Sequence, residues 1–249
     1  MTIRLLALGD SAWTVEFGSI ISTELHARVI AFAIRIEQAR LDDPLFAAIT
    51  DLVPTFRSLT VHFSEQIRDT DALATQLLAL AQGSQQQSID GKNWRLPACF
   101  DTSFAPDLSV WAQAKDIHES QLIEHMLDTP FRVYMIGFLP GFPYMGGLPT
   151  ELAMPRLTSP RQRVPANSIA IAGEMCTVYP WESPGGWNLV GRTPVQLFDP
   201  HQTDQPAMLT AGDIVRWYAI DKAEYAHLVS QCSSGKLLRE AFLDSGQGQ

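Results

Sequence analysis

The chain reads as an α+β domain followed by a mainly β domain, a barrel or a sandwich, and three observations predict this. Up to residue 82, apolar residues recur first at strand spacing and then at helical spacing, twice over. The polar run Gly83-Ser84-Gln85-Gln86-Gln87-Ser88 then interrupts the pattern as a linker would. From Phe131 onwards helical periodicity is lost, and short apolar runs alternate with Gly and Pro, the rhythm of all-β structure rather than of a parallel sheet.

Taken in order, Ile3–Leu6 and Trp13–Phe17 flank Gly9-Asp10 as the arms of a hairpin. Ser22 or Thr23 caps a helix whose Leu25, Val29, Phe32 and Ile36 share one face. Pro54 separates a run at 47–53 from Arg57–Phe63, where Leu59, Val61 and Phe63 alternate with polar neighbours. A second helix presents Leu73, Leu77 and Leu80. Two helices on one face of a small antiparallel sheet make a compact α+β unit. Beyond the linker, a strand is expected around Trp94–Phe100, then a helix capped by Asp107 and helical turns through His125. Strands follow at Arg132–Phe138, Ser168–Ala172, Cys176–Tyr179, Val195–Phe198 and Ile214–Ile220, and the tail after Ser233 is expected to fray. The expected divisions are 1–82, a linker at 83–92, a β domain at 93–230 and a tail at 231–249.

Composition excludes several function classes. A hydrophobic content of 46% with 18% charged residues supports a packed core over disorder. A net charge of -9 argues against nucleic acid or an anionic membrane as a partner, since both reward clustered positive charge. No run approaches the about 18 apolar residues of a membrane span, and the N-terminal run is not a signal peptide. Cys99, Cys176 and Cys232 fit neither a disulfide framework nor a zinc site, so reduced thiols in a cytoplasmic protein are expected.

The chemistry concentrates between Thr129 and Asp199. This window holds 8 of the 16 glycines, 10 of the 16 prolines and five arginines against four acids, so it is locally cationic in an acidic chain. Its first segment runs from Gly137 to Pro149, where Pro fixes φ and Gly frees it, a backbone suited to presenting rings and N–H groups. The second, Met154 to Pro165, carries Arg156, Arg161 and Arg163, whose guanidinium forks match carboxylate or phosphate. The third, Tyr179 to Pro194, combines Gly185-Gly186 with aromatics and Arg192. On residue chemistry alone, these segments indicate an anion or small-molecule pocket on a β scaffold. A run of connecting loops would carry the same composition.

Gly137-Phe138-Leu139-Pro140-Gly141-Phe142-Pro143-Tyr144, the pairs Pro155-Arg156 and Pro160-Arg161, Ser183-Pro184-Gly185-Gly186-Trp187 and Gly191-Arg192-Thr193-Pro194 carry a resemblance to a known family. It is the family of the 5-oxoprolinase B subunit, the Kip-type kinase inhibitor and allophanate hydrolase subunit 1, also described as a carboxyltransferase domain of the C/D type. The resemblance extends from about Ile3 to Ile220. It implies a cyclophilin-like β-barrel as the second domain, and a chain that works with a C-type and an A-type subunit in ATP-dependent opening of 5-oxoproline to glutamate, inactive alone. ATP, with Mg2+, is then a co-substrate of the complex. The family's other roles are inhibition of a histidine kinase without catalysis, and a part in a urea- or allophanate-type amide carboxylase or hydrolase. The chain departs from the family's pattern at Asp101-Thr102-Ser103, at Asn167 in place of Gly, and at Met175-Cys176-Thr177. Asn tolerates left-handed φ, so the backbone at 167 is expected to be kept.

No phosphate-binding Gly-rich loop, dinucleotide fingerprint, His-Glu-x-x-His pair or serine elbow occurs. The six histidines are scattered; His125, near the start of the barrel, is the nearest to a catalytic candidate among them, and a helix surface is its expected place. Catalytic residues are therefore unassigned, and no metal or prosthetic group is expected on this chain alone. The expected substrate-binding residues are Phe138, Pro140, Gly141, Tyr144, Arg156, Arg161, Arg163, Tyr179, Gly185, Gly186, Trp187 and Arg192. In this picture the four arginines supply positive charge, Phe138, Tyr144 and Trp187 wall a ring, and Gly141 and Gly186 allow close approach.

Overall fold

The computed structural model describes residues 3–64, 67, 69–84 and 91–244, and the chain divides into two units, Met1–Asp90 and Gly91–Gln249. In the first, β1 (Arg4–Ala7) and β2 (Ala12–Glu16) pair antiparallel across a turn in which Gly9 takes φ 64°. The helix α1 (Thr23–Asp42) starts where Ser22 Oγ accepts the Leu25 N–H at 3.2 Å. Strands β3 (Ile49–Pro54) and β4 (Ser58–Phe63) complete a sheet of order β1-β2-β4-β3, and α2 (Thr70–Gln82) follows, capped by Asp69. Alternation in β4 turns Leu59, Val61 and Phe63 inward, where they meet Val29, Phe32 and Ile36 of α1 and Leu73 and Leu77 of α2. Each such buried side chain contributes about 1.5–3 kcal/mol, which is why the two helices share one face. At the sheet's end, Glu16 is clamped by Arg4 and Arg57, and the Arg4 hydrogen bond holds its carboxyl below the usual range.

Of the expected 83–92 linker, residues 85–90 lie outside the described residues. Gly83 instead closes α2, and Ser84 is buried.

The second unit opens with β5 (Asn93–Cys99), α3 (Leu108–Lys115) and α4 (Glu119–Asp128). Then come β6 (Phe131–Ile136), β7 (Pro143–Gly146), β8 (Arg161–Val164), β9 (Ser168–Ala172), β10 (Met175–Tyr179), β11 (Ser183–Gly185), β12 (Asn188–Arg192), β13 (Ile214–Ile220) and α5 (Lys222–Ser233). Seven of these strands close a barrel in the order β10-β7-β6-β13-β5-β12-β9, as the expected mainly β barrel requires, while β8 and β11 form a separate two-stranded ribbon. Inward positions alternate with outward ones: Ile169, Ile171, Cys176, Val178, Val190, Val215 and Trp217 fill the barrel. Outward from the same strands, Ala170, Ala172, Tyr179 and Leu189 join a second cluster with Phe142, Val164 and Trp187.

The barrel is mixed, because β13 runs parallel to β5 in register from Ile214 opposite Asn93 to Ile220 opposite Cys99. Two expectations need correcting. Val195–Phe198 is no strand: Val195 and Leu197 are buried in the core, but the segment joins a ladder through a single bridge, from Phe198 to Ala207. The segment after Ser233 does not fray through residue 244. A short 3-10 turn, Arg239–Phe242, buries Phe242 in the barrel core, and Leu243 bridges to Trp94. The helix α5, in which Leu228 is the buried residue, had no amphipathic signal to find.

Candidate functional site

Strand β8, the start of β9, and β12 line a pocket of about 200 Å³ with the 103–106 loop. Its cationic side comes from Arg161 and Arg163 on β8 and Arg192 on β12, and its apolar side from Phe104, Pro106, Pro165 and Leu189. These arginines converge because β8 and β12 both flank the turn into β9. Asn167 in that turn takes φ 63°, its N–H donating to Tyr179 O at 2.6 Å while its carbonyl accepts the Thr193 N–H at 3.0 Å. Asn thus holds the left-handed backbone expected of a Gly at this position.

Each arginine is held differently. Arg192 donates through Nε to Ala166 O at 2.9 Å and stacks over Phe104 with Cζ 5.5 Å from the ring centroid. Arg163 forks onto Glu182 Oε1 at 2.7 and 2.9 Å, with its side chain 77% exposed. Arg161 donates through Nη2 to Asp107 Oδ1 at 2.7 Å, and its Nη1 is buried with no hydrogen-bond partner among the described residues.

Asp107 is the residue missed as part of this site. It occupies the N-cap position of α3 as expected, but its side chain makes no capping hydrogen bond. Its Oδ2 accepts the Leu189 N–H at 2.6 Å, its own N–H donates to Leu189 O at 3.1 Å, and its Oδ1 holds Arg161. An Asp before a helix reads as a cap, and a partner 54 residues away leaves no local trace.

The expected ring wall lies elsewhere. Phe142 packs edge-on against Phe138, Tyr179 and Trp187 and tilted against Tyr144, and Arg156 sits 5.6 Å over the Trp187 ring. Tyr179 and Trp187 are buried, and burial raises the phenol pKa of Tyr144 and Tyr179, so both stay protonated at neutral pH. Gly141, at φ 76°, is required because a Cβ there would lie 2.6 Å from Phe198 Cβ. At Gly185 a Cβ would lie 2.3 Å from the Tyr179 hydroxyl, whereas at Gly186 it would meet nothing nearer than Pro160 Cγ at 3.5 Å. Phe138 and Pro140 are exposed, and Phe138 has φ 69°, a strained conformation for an aromatic residue. The twelve expected residues thus divide. Arg161, Arg163 and Arg192 share the pocket; Phe138, Tyr144, Arg156, Tyr179 and Trp187 belong to the aromatic cluster; Gly141, Gly185 and Gly186 serve the backbone around it, and Pro140 is exposed in the loop before Gly141. The changed residues Met175 and Cys176 lie in β10, outside the pocket lining, and His125 is exposed on α4.

The profile of the family described as carboxyltransferase domain, subdomain C and D, matches residues 3–209. The chain belongs to that family. Among relatives, it is 34% identical over 244 residues to the B subunit of the 5-oxoprolinase of Bacillus subtilis (strain 168), covering 90% of this chain and 97% of that one. The corresponding B subunit of the Escherichia coli O157:H7 5-oxoprolinase is 32% identical over 86% of this chain and 94% of its own. Among solved structures of the family's fold, TTHA0988 superposes with a TM-score of 0.71 at 30% identity over 88% of this chain. The chain spans 40% of the length of that structure's chain. No helix among the described residues is long and apolar enough to cross a membrane.

Proposed function

We propose that this chain is the B subunit of an ATP-dependent 5-oxoprolinase, acting with a C-type and an A-type subunit to open 5-oxoproline to glutamate. The observation that carries the reading is the match to the B subunit of the Bacillus subtilis 5-oxoprolinase, at 34% identity and nearly full length in both chains. The chemistry of the pocket agrees with it. Activating a lactam with ATP requires holding a carboxylate-bearing ring in place while charge develops on its amide oxygen, which is chiefly positioning and charge stabilisation. Arg161 and Arg192 bring positive charge to a small cavity with an apolar side, which suits the positioning part. In this reading ATP and its Mg2+ belong to the assembled complex.

The test is to co-express the chain with C-type and A-type subunits and to measure 5-oxoproline-dependent ADP release. Activity that needs all three chains supports the proposal. A properly assembled complex without activity rejects it and directs attention to inhibition of a histidine kinase.

A further inference from the structure

We infer that the pocket bounded by Arg161, Arg192, Phe104 and Leu189 is a monocarboxylate subsite borne by this chain alone, and that it does not take the nucleotide. Three observations lead there. The first is charge. Three arginines line the pocket, while Asp107 offsets Arg161 and Glu182 offsets Arg163, leaving one net positive charge. That balance suits a single carboxylate and falls short of a triphosphate, which calls for several cations. The second is size. About 200 Å³ is below the roughly 300 Å³ at which pockets for drug-sized ligands begin, yet ample for a five-membered ring with one carboxylate. The third is preorganisation. Asp107 already fixes the Nη2 edge of the Arg161 guanidinium, so the fork is oriented before any ligand enters. In this assignment Asp107 is a positioning residue and the two arginines are the contacts.

That the carboxylate is 5-oxoproline rests on the function proposed above; the preference for a small carboxylate does not. The experiment is a ligand-detected NMR titration of the full chain with 5-oxoproline, with 2-pyrrolidinone (the same lactam ring without the carboxylate), with acetate, with inorganic phosphate and with ATP. Saturable binding of 5-oxoproline is expected, with none of 2-pyrrolidinone and no displacement by ATP. Arg161→Gln and Arg192→Gln should each weaken that binding about tenfold or more, at unchanged circular dichroism, with Arg161→Lys intermediate. If one glutamine variant fails to fold, the other and Arg161→Lys still decide the matter. Equal binding of 2-pyrrolidinone, tighter binding of phosphate or ATP, or 5-oxoproline affinity unmoved by both glutamine variants would each overturn the inference. So would the absence of saturable binding by any small carboxylate. Acetate binding that is lost in Arg161→Gln while 5-oxoproline fails to compete would support the subsite and count against the proposed function. An assembled complex that turns over 5-oxoproline with KM unmoved by both glutamine variants would do the reverse.

Discussion

Around Phe142, four other rings meet it at centroid distances of 5.0–6.1 Å, and Trp187 and Tyr179 are buried. Around Arg161, further along the same block, side chains stop short of one another and leave a pocket of about 200 Å³. The two regions draw on the same Gly-, Pro-, Arg- and aromatic-rich stretch, yet one is packed like a core and the other is open. Rings and glycines of this kind pack the ribbon β8/β11 against the barrel, while its Arg161 and Arg163 line the pocket. Substitutions in the packed region should therefore cost stability without touching carboxylate binding, and substitutions in the open region the reverse.

The largest expected effect is Trp187→Ala, which should destabilise the second unit by about 4 kcal/mol, read as a lower urea midpoint. Weaker binding of 5-oxoproline by the fraction still folded would break the division. Asp107→Ala crosses the boundary. It strips a buried acceptor from both Leu189 and Arg161, so about 3 kcal/mol of stability should go together with carboxylate affinity. Asp107→Asn should lose less stability, because one acceptor survives for the Leu189 N–H. Gly185→Ala presses a methyl onto the Tyr179 hydroxyl and should cost about 2 kcal/mol in the same denaturation assay, with binding intact. Smallest of all is Arg163→Gln. Its exposed pair with Glu182 is worth within about 0.5 kcal/mol, and calorimetry should find the melting temperature hardly moved.

The division between packed and open was not legible in the residues, though much else was. Ser22, the helical face of Leu25, Val29, Phe32 and Ile36, and the alternation of Leu59, Val61 and Phe63 are local signals, and the first unit follows them. Asn167 kept its left-handed backbone because that preference belongs to the residue itself. Long-range pairings leave no such imprint. Nothing about Asp107 announces Arg161, and the apolar Val195–Leu197 run reads as a strand although it is an irregular segment buried by its side chains alone. The arginines and aromatics were recognisable as a group by type; which of them would be spent on packing depended on which side of β9, β10 and β12 they met.

The parallel pairing of β5 with β13 has a consequence for how the chain reaches this form. The first strand of the barrel finds its neighbour only at the last, with Asn93 waiting for Ile214. During synthesis β5 has no ladder on that side until nearly the whole second unit has left the ribosome, and closing so long a loop makes for slow folding. An unfinished chain ending before Ile214 would expose that edge to other chains, so nascent chains stalled there are where aggregation should begin.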